Sequence, residues 1–261
     1  MRLTDGISSV EGSAGGGLAT WALIAGNETD SGIGATAHVT YVPLADYEMI
    51  SGGAAVGLFD RVELSYTHQD FNTGATGMAL GLGRDFRFAQ DIFGVKLRLV
   101  GDAIYAQDTV LPQISIGVQH KRAAKGDVIR AVGGKQDNGT DFYVAATKLV
   151  LSKSLLLNAT ARMTKANHMG LLGFGGDRSN AYSMQFEGSA GWLATKRLVV
   201  GGEYRTMPDN LGFAREDDAL DIFAAYAVSR HVTVTAAYVD LGSIATFDRQ
   251  RGGLVSLKFG L

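Results

Sequence analysis

The chain predicts an all-β fold: a transmembrane antiparallel up-and-down β-barrel of about 14 strands, with 12 as the alternative, carrying short periplasmic turns and long extracellular loops. Residues 1–261 form one domain in this reading. Three observations carry it. Apolar residues recur at every second position in one segment after another, the segments run about 10 residues, and their apolar rows tend to end in aromatics. Alternation gives each strand one oily and one polar face. Length separates a membrane wall from a soluble sandwich, because globular strands average about 5–6 residues whereas a tilted strand needs about 10 to cross a bilayer.

The elements follow in order. "IGATAHVTY" sets Ile33, Ala35, Ala37, Val39 and Tyr41 against Thr36, His38 and Thr40. "RVELSYTHQ" sets Val62, Leu64 and Tyr66 against Glu63, Ser65 and Thr67, and "FGVKLRLV" sets Phe93, Val95, Leu97 and Leu99 against Lys96 and Arg98. "QISIGVQHK", "LLLNATARMTK", "QFEGSAGW", "RLVVGGEYR", "HVTVTAAYVD" and "GGLVSLKFGL" repeat the rule. Clear strands are expected at 18–27, 33–42, 47–58, 61–71, 91–101, 112–121, 141–151, 155–165, 184–194, 197–207, 218–227, 231–241 and 253–261. A single-chain bacterial barrel needs an even number, so "LTDGISSVEG" at 3–12 supplies another. Twelve results instead if an N-terminal segment folds inward. Tight turns at 59–61, 152–154, 194–197 and 228–231 alternate with longer loops at 73–90, 122–139, 166–183, 208–217 and 242–252, and segment 73–90 is expected to carry a helical turn that partly plugs the lumen.

Composition narrows the class. A formal charge of −2 gives no signal for nucleic acid, and no apolar run reaches the ~18 residues of a membrane helix. With no cysteine, thiol catalysis and thiolate metal sites are excluded. The first residues lack the pattern of a secretory leader, so the leader is expected to have been removed.

The blocks "EGSAGGGLATWALIAG", "GLFDRVELSY", "QDIFGVKLRL", "LPQISIGVQHK", "TKANHMGLLGFGGDRS" and "YRTMPDNLGFAREDD" resemble, in order and over nearly the whole chain, the bacterial family catalogued as domain of unknown function 3034. The resemblance implies an outer-membrane barrel of a Gram-negative cell. It implies no substrate and no site residues.

Projected inward, the polar register collects the expected pore-lining residues Glu63, Lys96, Arg98, Arg162, Glu187, Glu203, Arg205 and Lys258, with Asp221 beside them. They either line an aqueous pore or pair across the interior. The lipid-facing girdles are Tyr41, Tyr66, Tyr204 and Tyr238 at one end and Trp192, Tyr226 and Phe259 at the other. The five histidines, His38, His68, His120, His168 and His231, are dispersed and suggest no triad; His168, in a long loop, is the best candidate for ligand contact. Glu216, Asp217, Asp218 and Asp221 cluster without the spacing of a calcium loop, and "GLGRDF" and "GFGGDRS" lack phosphate-loop spacing. The expectation is a non-enzymatic, porin-like passive channel for small hydrophilic solutes, without catalytic residues, cofactor or metal. Its partners would be outer-membrane lipid and lipopolysaccharide, with no nucleic acid, and a monomer is favoured over a trimer. The alternatives are a closed anchoring barrel and a transporter of apolar compounds, the latter requiring lateral openings and an N-terminal plug.

Overall fold

The computed structural model describes residues 6–26 and 32–261. Twelve long strands close into one antiparallel barrel, and a small two-stranded hairpin lies apart from it. In chain order the hairpin is β1 (Ile7–Ser8) and β2 (Ala14–Gly15). The wall is β3 (Ile33–Pro43), β4 (Glu48–Leu58), β5 (Val62–Asn72), β6 (Arg87–Val100), β7 (Gln113–Ala123), β8 (Asn138–Val150), β9 (Leu155–Thr164), β10 (Ser183–Leu193), β11 (Leu198–Arg205), β12 (Ala219–Ala227), β13 (Val232–Asp240) and β14 (Arg251–Gly260). Each wall strand pairs with its sequence neighbours, and β14 returns to β3, so no sheet edge is left open.

The 14-strand expectation is corrected to 12. The segments expected as strands at 3–12 and 18–27 do not join the wall; their extremes, residues 3–5 and residue 27, lie outside the described residues. The reason is legible afterwards. Leu18, Ala19, Trp21, Ala22, Leu23, Ile24 and Ala25 are apolar in both registers, so this stretch has no polar row to turn inward, and "EGSAGGG" has no large apolar side chain to form an outer row. Residues 6–26 are instead buried throughout, inside the barrel.

Outward positions carry the oil. Val39, Tyr41, Ile50, Leu64, Phe93, Val95, Phe142, Val144, Leu157, Phe186, Ile222, Tyr238 and Val255 are all exposed, whereas the alternate row is buried and largely polar. This inversion of a soluble core requires lipid around the wall. One end has mostly short connections: 59–61, 151–154, 194–197 and 228–231, with 101–112 as the long exception. Long loops 73–86, 124–137, 165–182, 206–218 and 241–250 cluster at the other end, where only 44–47 is short. The helical turn expected in 73–90 is α1 (Thr76–Ala79), and the loop ends sooner than expected because β6 starts at Arg87. A second short helix, α2 (Gly126–Ala131), lies in the 124–137 loop.

Val39, near the middle of β3 and facing out, tests this facing. Val39→Arg is expected to destabilise the barrel by about 2–4 kcal/mol in equilibrium unfolding from lipid vesicles. A change near zero would contradict a lipid-facing row.

Candidate functional site

The lumen is the site, and the chain's own N-terminal segment fills it. The hairpin enters from the short-turn end, where Lys258 Nζ donates to Gly6 O at 2.8 Å. It rises until Val10 and Leu18 lie below the long loops, then descends through Trp21 and Ala22 toward the loop 101–112. Gly12, with φ of +89°, makes the turn at the top, and a Cβ there would strike Thr67 Oγ1. At Gly16 a Cβ would overlap the Glu203 carboxylate, which would have to swing away from its bond to Leu18 N.

Such a segment brings peptide groups that cannot all pair within it, and each must find a partner. The wall supplies them. Glu63 accepts from Ala14 N at 3.3 Å and Ala25 N at 2.9 Å, while Lys96 Nζ donates to Ala14 O at 3.1 Å and Leu23 O at 2.8 Å and pairs with Glu63 at 3.1 Å. Glu203 accepts from Leu18 N at 2.7 Å, Ser189 Oγ at 2.7 Å and Trp21 Nε1 at 3.3 Å. Thr20 N donates to Glu187 at 2.7 Å, and its carbonyl accepts from Asn158 at 3.2 Å and Thr160 at 2.7 Å. Ala22 is held at both ends, its amide by Thr147 and its carbonyl by Gln113 and Ser115.

At the top of the hairpin Glu11 meets three cations. Arg205 lies at 2.8 Å, Arg162 at 3.7 Å, and Lys121 forms the closest pair. Asp141 and Glu187 complete the cluster: Asp141 is 2.8 Å from Lys121 and 3.6 Å from Arg162, and Glu187 is 2.5 Å from Arg162 and 3.7 Å from Arg205. Three carboxylates face three cations here, all buried, where an unmatched charge would be costly.

Of the residues expected to line a pore, Glu63, Lys96, Arg162, Glu187, Glu203, Arg205 and Lys258 face the lumen and are buried, each bonded to the plug. Asp221 faces inward directly across from Glu203. Arg98 departs from the expected set. It sits at the short-turn end, bonded to Asp60 and to Gly101 O at 2.9 Å. Sequence reasoning missed Glu11, Lys121 and Asp141. Lys121 continues the inward row Gln113, Ser115, Gln119 by one more step, and Glu11 is the one charged side chain between Gly6 and Gly26.

The expected girdle residues Tyr41, Tyr66, Trp192, Tyr204, Tyr226, Tyr238 and Phe259 are all exposed on the outer wall. Trp192, Tyr226 and Phe259 lie toward the short turns, and Tyr41, Tyr204 and Tyr238 toward the long loops. Tyr66 is nearer the middle, stacked on Phe93 with ring centres 5.1 Å apart. The hydroxyls of Tyr41, Tyr66 and Tyr204 donate to Glu48, Asp91 and Asp218.

Above the plug the long loops fold inward. Met169 O accepts from Lys121 Nζ at 3.1 Å, tying the 165–182 loop to the charge cluster below it. His168 Nε2 accepts from Ala245 N at 3.4 Å, and its own amide donates to Glu216 at 2.6 Å. Burial lowers the His168 imidazole to about 4 against a weaker upward pull from Asp209, and burial raises the Glu216 carboxyl well above its ordinary range. The four clustered carboxylates do not converge. Glu216 caps His168, Asp217 takes Ser243 and Arg215, Asp218 takes Tyr204, and Asp221 points into the lumen. In "GLGRDF" and "GFGGDRS" the glycines Gly81, Gly83, Gly173 and Gly175 adopt positive φ as loop turns.

The barrel resembles outer-membrane proteins of known structure. The KdgM porin, solved in complex with disordered oligogalacturonate, has the same fold at 8% identity, covering 86% of this chain and 98% of that one, with a TM-score of 0.54. The NanC porin matches at 10% identity over 86% of this chain and 97% of that one, with a TM-score of 0.52. Outer membrane phospholipase A from Escherichia coli matches at 10% identity over 86% and 92%, with a TM-score of 0.47. At these identities the two porins show a likeness of fold alone. No curated protein sequence matches the chain. The family model described as "Protein of unknown function (DUF3034)" matches residues 4–258, and the chain belongs to that family.

Proposed function

We propose that this protein is a gated outer-membrane channel for small hydrophilic solutes, closed here by its own residues 6–26, with the long loops outside the cell and the short turns in the periplasm. One observation carries the reading: the wall holds the plug through groups that water replaces without loss of hydrogen bonding. The interior of a membrane barrel is polar both in open channels and in plugged ones. This wall keeps five buried carboxylates (Glu63, Asp141, Glu187, Glu203, Asp221) and five buried cations (Lys96, Lys121, Arg162, Arg205, Lys258). With the plug withdrawn toward the periplasm, the same side chains line a wettable passage whose formal charges cancel.

A static closed barrel serving as an anchor is the competing reading, favoured by the depth at which Glu11 is buried. Planar-bilayer recording separates the two. Intact protein is expected to be nearly silent, and a variant lacking residues 6–26 to show discrete steps with weak ion selectivity. Silence from a folded, heat-modifiable deletion variant would establish the anchor instead.

Glu11→Gln leaves three cations facing Asp141 and Glu187 alone. Removing one partner of a buried charge cluster costs about 3–5 kcal/mol, so if the plug bears that cost its openings become roughly 100- to 5000-fold more frequent. Full-length Glu11→Gln protein that stays as quiet as the parent would contradict the latch.

A further inference from the structure

The long loops enclose a second feature that plug and wall do not require. Loops 73–86, 124–137, 165–182, 206–218 and 241–250 all send apolar side chains over the plug tip, and together they bound a cavity of about 130 Å³. Its floor is Val10 and Leu18 of the plug, and its sides include Met49, Phe88, Leu172 and Ile244.

The polar groups on this lining are already engaged elsewhere. Gln69 Nε2 donates to Val10 O at 2.6 Å, Thr73 Oγ1 to Phe86 O at 2.9 Å and Tyr47 OH to Ile244 O at 3.3 Å, while His168 Nε2 accepts from Ala245 N. A guest therefore finds mainly dispersion contacts, and a polar substituent is left with only the spare acceptor capacity of the Tyr47 and Thr73 hydroxyls and the His168 Nδ1 edge. Water, which needs two to four polar partners, is poorly served. Size sets the other limit. An apolar cavity of about 150 Å³ lined by Leu, Ile and Phe takes up benzene, and the volume here is close to that.

We propose that this mouth cavity binds a compact hydrocarbon the size of one aromatic ring, with no hydrogen-bonding substituent. The site stands whether or not the lumen ever conducts, because its walls belong to the closed protein. Since Val10 and Leu18 form its floor, a bound molecule rests on both limbs of the hairpin beside its turn.

Methionine methyls provide the test, since three of them line the cavity and others face lipid. Intact protein labelled with ¹³C-methyl methionine, in lipid nanodiscs, is titrated with benzene and followed by NMR. Met49, Met169 and Met207 border the site, whereas Met184 is 51% exposed on the outer wall and reports partition into lipid. The expected result is a saturable shift of the cavity methyls while the Met184 methyl drifts linearly. Hydroquinone, the same ring with two hydroxyls, is expected to need at least about ten times the concentration of benzene to move the cavity methyls, and Val128→Phe, which fills the site from α2, to abolish the saturable shift. Linear drift of all methyls together would overturn the proposal, as would equal saturation by hydroquinone. Should Val128→Phe fail to fold, the benzene and hydroquinone comparison on the parent protein decides alone.

Discussion

The charge cluster that holds the plug in this barrel depends on one constraint: a charge taken out of water must meet its opposite. Twelve strands enclose a lumen wider than the wall's own side chains fill, and the inward row sets carboxylates, lysines and arginines among hydroxyl and amide side chains. Near the long loops Lys121, Arg162 and Arg205 stand against only Asp141 and Glu187 from the wall, and the sixth group, Glu11, comes from the plug. The hairpin is thus more than a filler. It carries the one side chain that balances the cluster, and its backbone is held below by Glu63, Lys96, Glu187 and Glu203.

The same arrangement explains why the hairpin is so poor in side chains. Gly12 and Gly16 approach Thr67 and Glu203 too closely for a Cβ while those side chains hold their places, so the wall grips peptide groups directly. Polar grip and apolar lid then divide the work along the axis. Peptide and charge contacts occupy the lumen, and the loops close over Val10 and Leu18 with an apolar lining.

Much of this was legible in the sequence, because alternation with period two reports facing directly. All twelve wall strands lie where alternation places them, and the inward and outward rows of β5, β9, β10 and β11 are those read from "RVELSY", "LLLNATARMTK", "QFEGSAGW" and "RLVVGGEYR". What failed was local. The segment 18–27 has strand-like length and apolarity, and only the missing polar register marks residues 18–26 as lumen filling. Arg98 alternates correctly yet lies where the strand meets its turn, so Asp60 claims it. Glu11 could not be assigned at all, because its partners lie 110 to 194 residues away and no periodicity relates them. The cavity under the loops is equally hidden, since it is assembled from segments without repeating pattern.

The central claim is that residues 6–26 occupy the lumen and can leave it without unfolding the wall. Hydrogen exchange in lipid nanodiscs tests this most directly, because the amides of Ala14, Leu18, Thr20, Ala22 and Ala25 are held by wall side chains and those of the strands by each other. The account predicts that these five amides are protected but exchange together, well before the amides of β5, β9 and β11. Five unprotected amides would remove the plug from the lumen, and exchange only in step with the strands would make it a permanent part of the wall.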